Sequence, residues 1–294
     1  MNIREGYMDF EGYQTYYRIA GECADGRKPL IILHGGPGST HTSLEMLDPL
    51  AEDGRMLIYY DQIGCGLSPA PGRTDLFNRE TWVRELQALR KELGLDEVHL
   101  LGHSWGGMLL LEYVCRYDPQ GIKGIVLSNT LPSSWLWALE QRRMIEEMPE
   151  QMRAAIDEAD RTGDYTTPAY EAANTEFTRR HGSPAWGPDA PECLTRPKNR
   201  GKEAYETAWG PNEFTASGNL KDYDVTDLLP SIKQPALVLS GGRDECTPYI
   251  AKVMYDSIPD AEWVLFRDSR HCTYGEATEE YLKTVSTWLA KHDA

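Results

Sequence analysis

The chain has 294 residues, 40% of them apolar and 26% charged, with a net charge of −16. That length buries a sizeable core without disulfide or metal staples, and no run of about 18 apolar residues marks a membrane span. The acidic balance argues against nucleic acid and against anionic membranes, since both need clustered Lys and Arg.

The first residues, Met1-Asn2-Ile3-Arg4-Glu5-Gly6, contain no apolar signal core, so a cytoplasmic protein is expected. Met8 to Ile19 alternates like an antiparallel pair of hairpin strands. Leu30–Leu33 and Met56–Tyr60 are short apolar runs of the kind that become buried strands. Arg79 to Leu93 has helical spacing at Trp82, Leu86, Leu89 and Leu93, with Gly94 placed to end it. Val98–Leu101 reads as a strand, Met108–Tyr117 as a helix and Gly124–Leu127 as another buried strand. Strands alternating with helices predict a parallel sheet covered on both faces.

From Leu131 to Leu229 the pattern changes. Helical segments at Trp135–Met148, Glu150–Arg161 and Tyr170–His181 are followed by breaks at Pro184, Pro188, Pro191 and Pro197. Strand runs then resume at Pro235–Leu239 and Ala261–Phe266, and a helix around Glu279–Lys291 closes the chain. The expected organisation is a core of residues 1–130 and 230–294, interrupted by a helical cap at 131–229.

Six cysteines, at 23, 65, 115, 193, 246 and 272, form no C-x-x-C and no metal-type spacing with histidine. Free thiols are expected, and neither metal nor cofactor.

The chemistry begins at Gly102-His103-Ser104-Trp105-Gly106-Gly107, a G-x-S-x-G element set between strand and helix. Glycines on both sides let the backbone take a strained turn that pushes the Ser104 hydroxyl out over the sheet. A serine hydroxyl needs an imidazole to take its proton, and that imidazole needs a buried carboxylate to orient it. With the nucleophile on such a turn, the expected chain order is serine, acid, histidine. Asp244 and His271 meet that order, each just past an apolar strand, where open α/β sheets place their sites. Other histidines have less support, and His103 reads as packing. The oxyanion needs two backbone donors, one from Trp105 and one from the loop after Leu30–Leu33, His34-Gly35-Gly36-Pro37-Gly38. Gly36 is the expected donor, with Gly35 the alternative.

His34-Gly-Gly-Pro-Gly38, Asp61-Gln62-Ile63-Gly64-Cys65-Gly66-Leu67-Ser68 and the serine element together resemble the proline iminopeptidases, closest to the tricorn-interacting type. The match continues in Trp209-Gly210-Pro211-Asn212-Glu213-Phe214 and in Asp244-Glu245. The resemblance implies an α/β-hydrolase fold: a mostly parallel eight-stranded sheet with helices on both faces and an inserted helical cap. It implies a serine aminopeptidase that releases an N-terminal residue, with preference for proline, from short peptides. It also assigns the substrate's free amino group to Glu213 and Glu245. Amino-acid amide hydrolases share these motifs, so an amidase or esterase on the same scaffold stays open at this point. A non-catalytic binding protein is disfavoured by the complete triad. Trp105, Trp135, Trp137, Trp186 and Trp209 either wall a pocket or pack inside the cap, with Trp209 favoured as pocket-adjacent. Cys65, Cys246 and Cys272 lie beside these motifs, where a bulky thiol reagent would block the site. The oligomeric state is left open, a monomer included.

Overall fold

The computed structural model describes all residues from 1 to 294. Eight strands, β1 (Ile3–Phe10), β2 (Tyr13–Ala20), β3 (Leu30–Leu33), β4 (Leu57–Tyr60), β5 (Val98–His103), β6 (Ile122–Ser128), β7 (Ala236–Gly241) and β8 (Ala261–Phe266), form one sheet in the order β1-β2-β4-β3-β5-β6-β7-β8. β1 and β2 run antiparallel to each other, as do β2 and β4; the remaining neighbours are parallel. Strands β3, β4, β5 and β7 are buried along their whole length, which suits the unbroken apolar sequences of β3 and β4 and the largely apolar ones of β5 and β7.

Period-two alternation sorts these strands between two cores. Ile31, Leu33, Ile58, Tyr60 and Leu100 face one side, packed under α1 (Arg79–Glu92) and α2 (Trp105–Tyr117). Leu30, Ile32, Leu57, Tyr59 and Leu101 face the other side, with Leu44, Leu47, Tyr281, Val285 and Trp288. Between β6 and β7 no strand forms. That stretch contains α3 (Ser134–Glu146), α4 (Glu150–Thr162), α5 (Pro168–His181), α6 (Glu192–Thr195) and α7 (Lys202–Ala208), and a small core of its own around Ile156, Phe177 and Phe214. The remaining helices are α8 (Pro248–Ser257), α9 (Thr273–Glu276) and α10 (Thr278–Lys291). None of the helices is long and apolar enough to cross a membrane.

Two elements were illegible in the sequence. His41–Asp53 is a 3₁₀ helix with Pro49 inside it, and its buried leucines at 44, 47 and 50 repeat every three residues, the period of that tighter turn. The second is an ion cluster at the end of α10. Asp293 takes two bonds from Arg55 (2.9 and 2.8 Å), one from the Lys28 N–H (3.0 Å) and one from Arg27 (3.1 Å). Burial raises its carboxyl, but Arg55, the Lys28 N–H and Arg27 outweigh that and hold it well below the usual carboxylate range. Asp293→Ala leaves Arg55 buried without its partner and should lower the unfolding free energy by about 3 kcal/mol, read as a shifted urea midpoint. In the wild type this contribution is complete above pH ~4 and fades as the pH falls below the unfolded carboxyl's value. An unchanged midpoint would remove the cluster from the stability account.

Candidate active site

The sheet reverses its winding at β3, since β4 lies on one side of it and β5 on the other. Ligand sites form in the crevice beyond the carboxyl ends at such a point. Ser104 follows β5 directly, with φ 55° and ψ −124°, a backbone conformation uncommon for a non-glycine residue and found where surrounding structure enforces it. That structure is visible. The Ser104 N–H donates to Ser128 O (2.9 Å), and the Thr130 hydroxyl donates to Ser104 O (2.7 Å). A Cβ at Gly106 would strike the Leu33 carbonyl oxygen, so only glycine lets α2 start this close to β3. The Ser104 side chain does not cap its own helix, which leaves the hydroxyl free.

Asp244 follows β7 and His271 follows β8. Their side chains meet at 2.8 Å, Nδ1 to Oδ1. The carboxylate also accepts from the Cys246 N–H (2.8 Å) and from Asn129 Nδ2 (2.6 Å). Asn129 is in turn oriented by the Thr273 hydroxyl (2.8 Å). With Nδ1 donating to the carboxylate, Nε2 of the neutral ring is the proton acceptor. His103 packs against His271 with ring centroids 4.9 Å apart and the rings tilted by 47°, and burial keeps its own pKa well below the usual value. The neighbour of Ser104 therefore packs directly against the ring of His271. Asn129 was missed in the sequence, although its place directly after β6 was a signal.

The glycine loop lies against the serine. A Cβ at Gly35 would sit 3.1 Å from that of Ser104. Gly36, at φ +119°, has no room for a side chain, since a Cβ would come within 2.6 Å of the Gly38 and Ser39 nitrogens. Trp105 is the first residue of α2, so its N–H has no partner inside the helix. Its indole is buried and donates to Gln62 Oε1 (2.7 Å), so that ring packs in the core. The Asp61 carboxylate of the second motif holds loop backbone, accepting from the His41 N–H (2.9 Å), His41 Nδ1 (2.7 Å) and the Leu67 N–H (2.9 Å).

Glu245 is buried next to Asp244, and its Oε1 lies 3.6 Å from His271 Nε2. Burial raises its carboxyl, and repulsion from Glu213 and Asp244 adds to this against the attraction of His271. Burial likewise raises Glu213, opposed by the adjacent Tyr205 hydroxyl and by His271. Glu213 is only partly accessible, and its charge is felt at Glu245. Two indoles grip its backbone: Trp137 Nε1 donates to Glu213 O at 2.8 Å and Trp209 Nε1 at 3.4 Å. Trp209 is thus buried beside the glutamate it helps to place. Trp135, by contrast, is 69% exposed on the outer surface.

For His271, burial lowers the pKa, but the charges of Glu245 and Asp244 prevail and raise it well above 6.5. Asp244, Cys246 and His271 offer ligand atoms within 4.8 Å of one another. They suit a metal poorly, because Asp244 and His271 already bond each other and burial pushes the Cys246 thiol up, away from thiolate. Cys65 and Cys272 are also buried with raised pKa values, so a bulky reagent meets closed thiols in the folded protein.

Residues 28–278 match the family model of the alpha/beta hydrolase fold. Over 293 residues, and across all of both chains, the sequence is 54% identical to a proline iminopeptidase of Clostridium botulinum and 52% identical to one of Clostridioides difficile. Among solved structures, the proline iminopeptidase of Mycobacterium smegmatis superposes with a TM-score of 0.88 at 33% identity, covering 99% of each chain.

Proposed function

Because the chain belongs to the proline iminopeptidase family of the α/β-hydrolase fold, we propose that it is a serine aminopeptidase releasing N-terminal proline from short peptides. The observation that carries this reading is the pair of enclosed carboxylates, Glu213 and Glu245, beside His271. A substrate's α-amino nitrogen is two bonds from its first carbonyl carbon, so a cation pocket this close to the base selects the terminal residue.

In this mechanism Ser104 attacks the first carbonyl while His271 Nε2 takes its proton and Asp244 holds the ring. The Gly36 and Trp105 N–H groups receive the oxyanion. Protonated His271 then gives its proton to the leaving amine, and water repeats the sequence on the acyl-enzyme. The same proposal treats 131–229 as a cap over the core of 1–130 and 230–294. Its support is that the cap delivers Glu213 while the core carries the other site groups. No residue of the mechanism calls for a metal or cofactor.

The test is a panel: a prolyl dipeptide, prolinamide and a simple aryl ester, each with and without N-acylation where chemistry allows. Fastest turnover of the free-amine dipeptide is expected. Prolinamide preferred over every dipeptide would make the protein an amidase instead.

The pH dependence carries a sign. His271 must be neutral to accept a proton, and its carboxylate neighbours favour the charged form. The acidic limb of kcat/KM, which reports the free enzyme, should therefore lie above pH 6.5. Glu245→Gln should move that limb down. A limb unchanged in the variant would separate Glu245 from the base.

A further inference from the structure

Gln62 follows β4 and makes three bonds within the site's floor. Its backbone N–H donates to His34 Nε2 (3.1 Å), its side-chain NH₂ donates to His34 O (3.2 Å), and its Oε1 accepts from the Trp105 indole (2.7 Å). All three residues are buried, at 1% exposure each. Since Nε2 of His34 accepts, the proton of the neutral ring is on Nδ1. Burial supports the neutral form by lowering this pKa. Nδ1 therefore donates to Gly35 O at 2.8 Å, and the Ser39 N–H adds a longer bond to the same oxygen (3.3 Å).

Gly35 O and the Gly36 N–H belong to one planar trans peptide, so they point in opposite directions. Pinning the oxygen aims the N–H. The preceding peptide is pinned the same way, through Gln62 Nε2 on His34 O. Gln62 also ties this loop to the residue that bears the second donor, Trp105.

We propose that His34 and Gln62 are positioning residues of the oxyanion hole, His34 aiming the Gly36 N–H through the Gly35 carbonyl and Gln62 setting the spacing between that loop and Trp105. Neither side chain touches substrate. The proposal rests on the acyl-transfer reading of Ser104, and its effect belongs to the transition state alone. Misaiming one donor should cost less than deleting it, about 10- to 100-fold in kcat.

The experiment compares His34→Leu, His34→Asn and Gln62→Glu with the wild type. The asparagine amide can donate to Gly35 O roughly where Nδ1 did; leucine cannot. The glutamate keeps the indole's acceptor and loses the donor to His34 O. Expected are kcat losses of about 10- to 100-fold for His34→Leu and Gln62→Glu with KM within about threefold, and substantial recovery in His34→Asn. Binding of L-prolinal, whose adduct carries the oxyanion, should weaken in parallel with kcat while binding of proline does not. The proposal is overturned if kcat stays within twofold in the leucine and glutamate variants, if proline binding falls as far as prolinal binding, or if asparagine is no better than leucine. Should His34→Leu not fold, the other two variants decide by the same criteria. Labelling of Ser104 by a fluorophosphonate is read alongside, because it needs the hole and no amine. Slowed labelling in the variants of a protein that ignores prolyl substrates would defeat the aminopeptidase reading and leave this proposal standing.

Discussion

Ser104→Ala is expected to lower kcat on a prolyl substrate by about a millionfold, the loss seen when the nucleophile of a working triad is removed. The backbone at residue 104 is held from outside by Ser128 O and by the Thr130 hydroxyl. The variant should therefore keep the elbow and lose only the oxygen. Asp244 and His271 remain in place, because Asn129 and the Cys246 N–H hold the carboxylate independently of the serine. What survives is binding and whatever the hole contributes to attack by water. A loss of less than tenfold, measured on protein freed of wild-type contamination, would take the nucleophile's role from Ser104.

Glu213→Gln should lower kcat/KM on free-amine substrates by about a thousandfold, while simple esters and N-acylated substrates change by less than about threefold. The magnitude follows from stripping a buried ammonium of one of its two counter-charges, a change of about 2–5 kcal/mol with each 1.36 kcal/mol worth a decade of rate. Glu213 is the cleaner choice of the two glutamates, since Glu245 also sits 3.6 Å from His271 Nε2 and its removal alters the base as well. The indoles of Trp137 and Trp209 grip the backbone of residue 213, so glutamine should occupy the same place. Equal losses on amine and non-amine substrates would exclude amine recognition.

Much of the site was legible because its chemistry is written in short segments tied to strand ends. Ser104, Asp244 and His271 each follow a strand rich in apolar residues, and parallel pairing puts those strand ends at one edge of the sheet. The groups that support them were not legible, since their meaning depends on partners far along the chain. Asn129 matters through Asp244, 115 residues away, and Gln62 through Trp105, 43 residues away. His41 had no context until folding placed it on Asp61 and beside Glu45. Burial lowers its pKa, but those two carboxylates outweigh it and raise the ring to about 9. The tryptophans of 131–229 show the same limit: composition could not tell the exposed Trp135 from Trp137, buried on Glu213.

The enclosed carboxylates have a bearing on how a turnover ends. On the proposed reading, a peptide arrives presenting an ammonium and a neutral carbonyl, and the two glutamates answer that positive charge. On the proposed chemistry, hydrolysis converts that carbonyl into a carboxylate within a few ångströms of Asp244 and Glu245, in surroundings where charges are weakly screened. The departing amino acid is a zwitterion, and its new negative end is repelled by Asp244 and by Glu245, one of the two proposed amine partners. The arrangement that captures a terminus is therefore also one that empties itself.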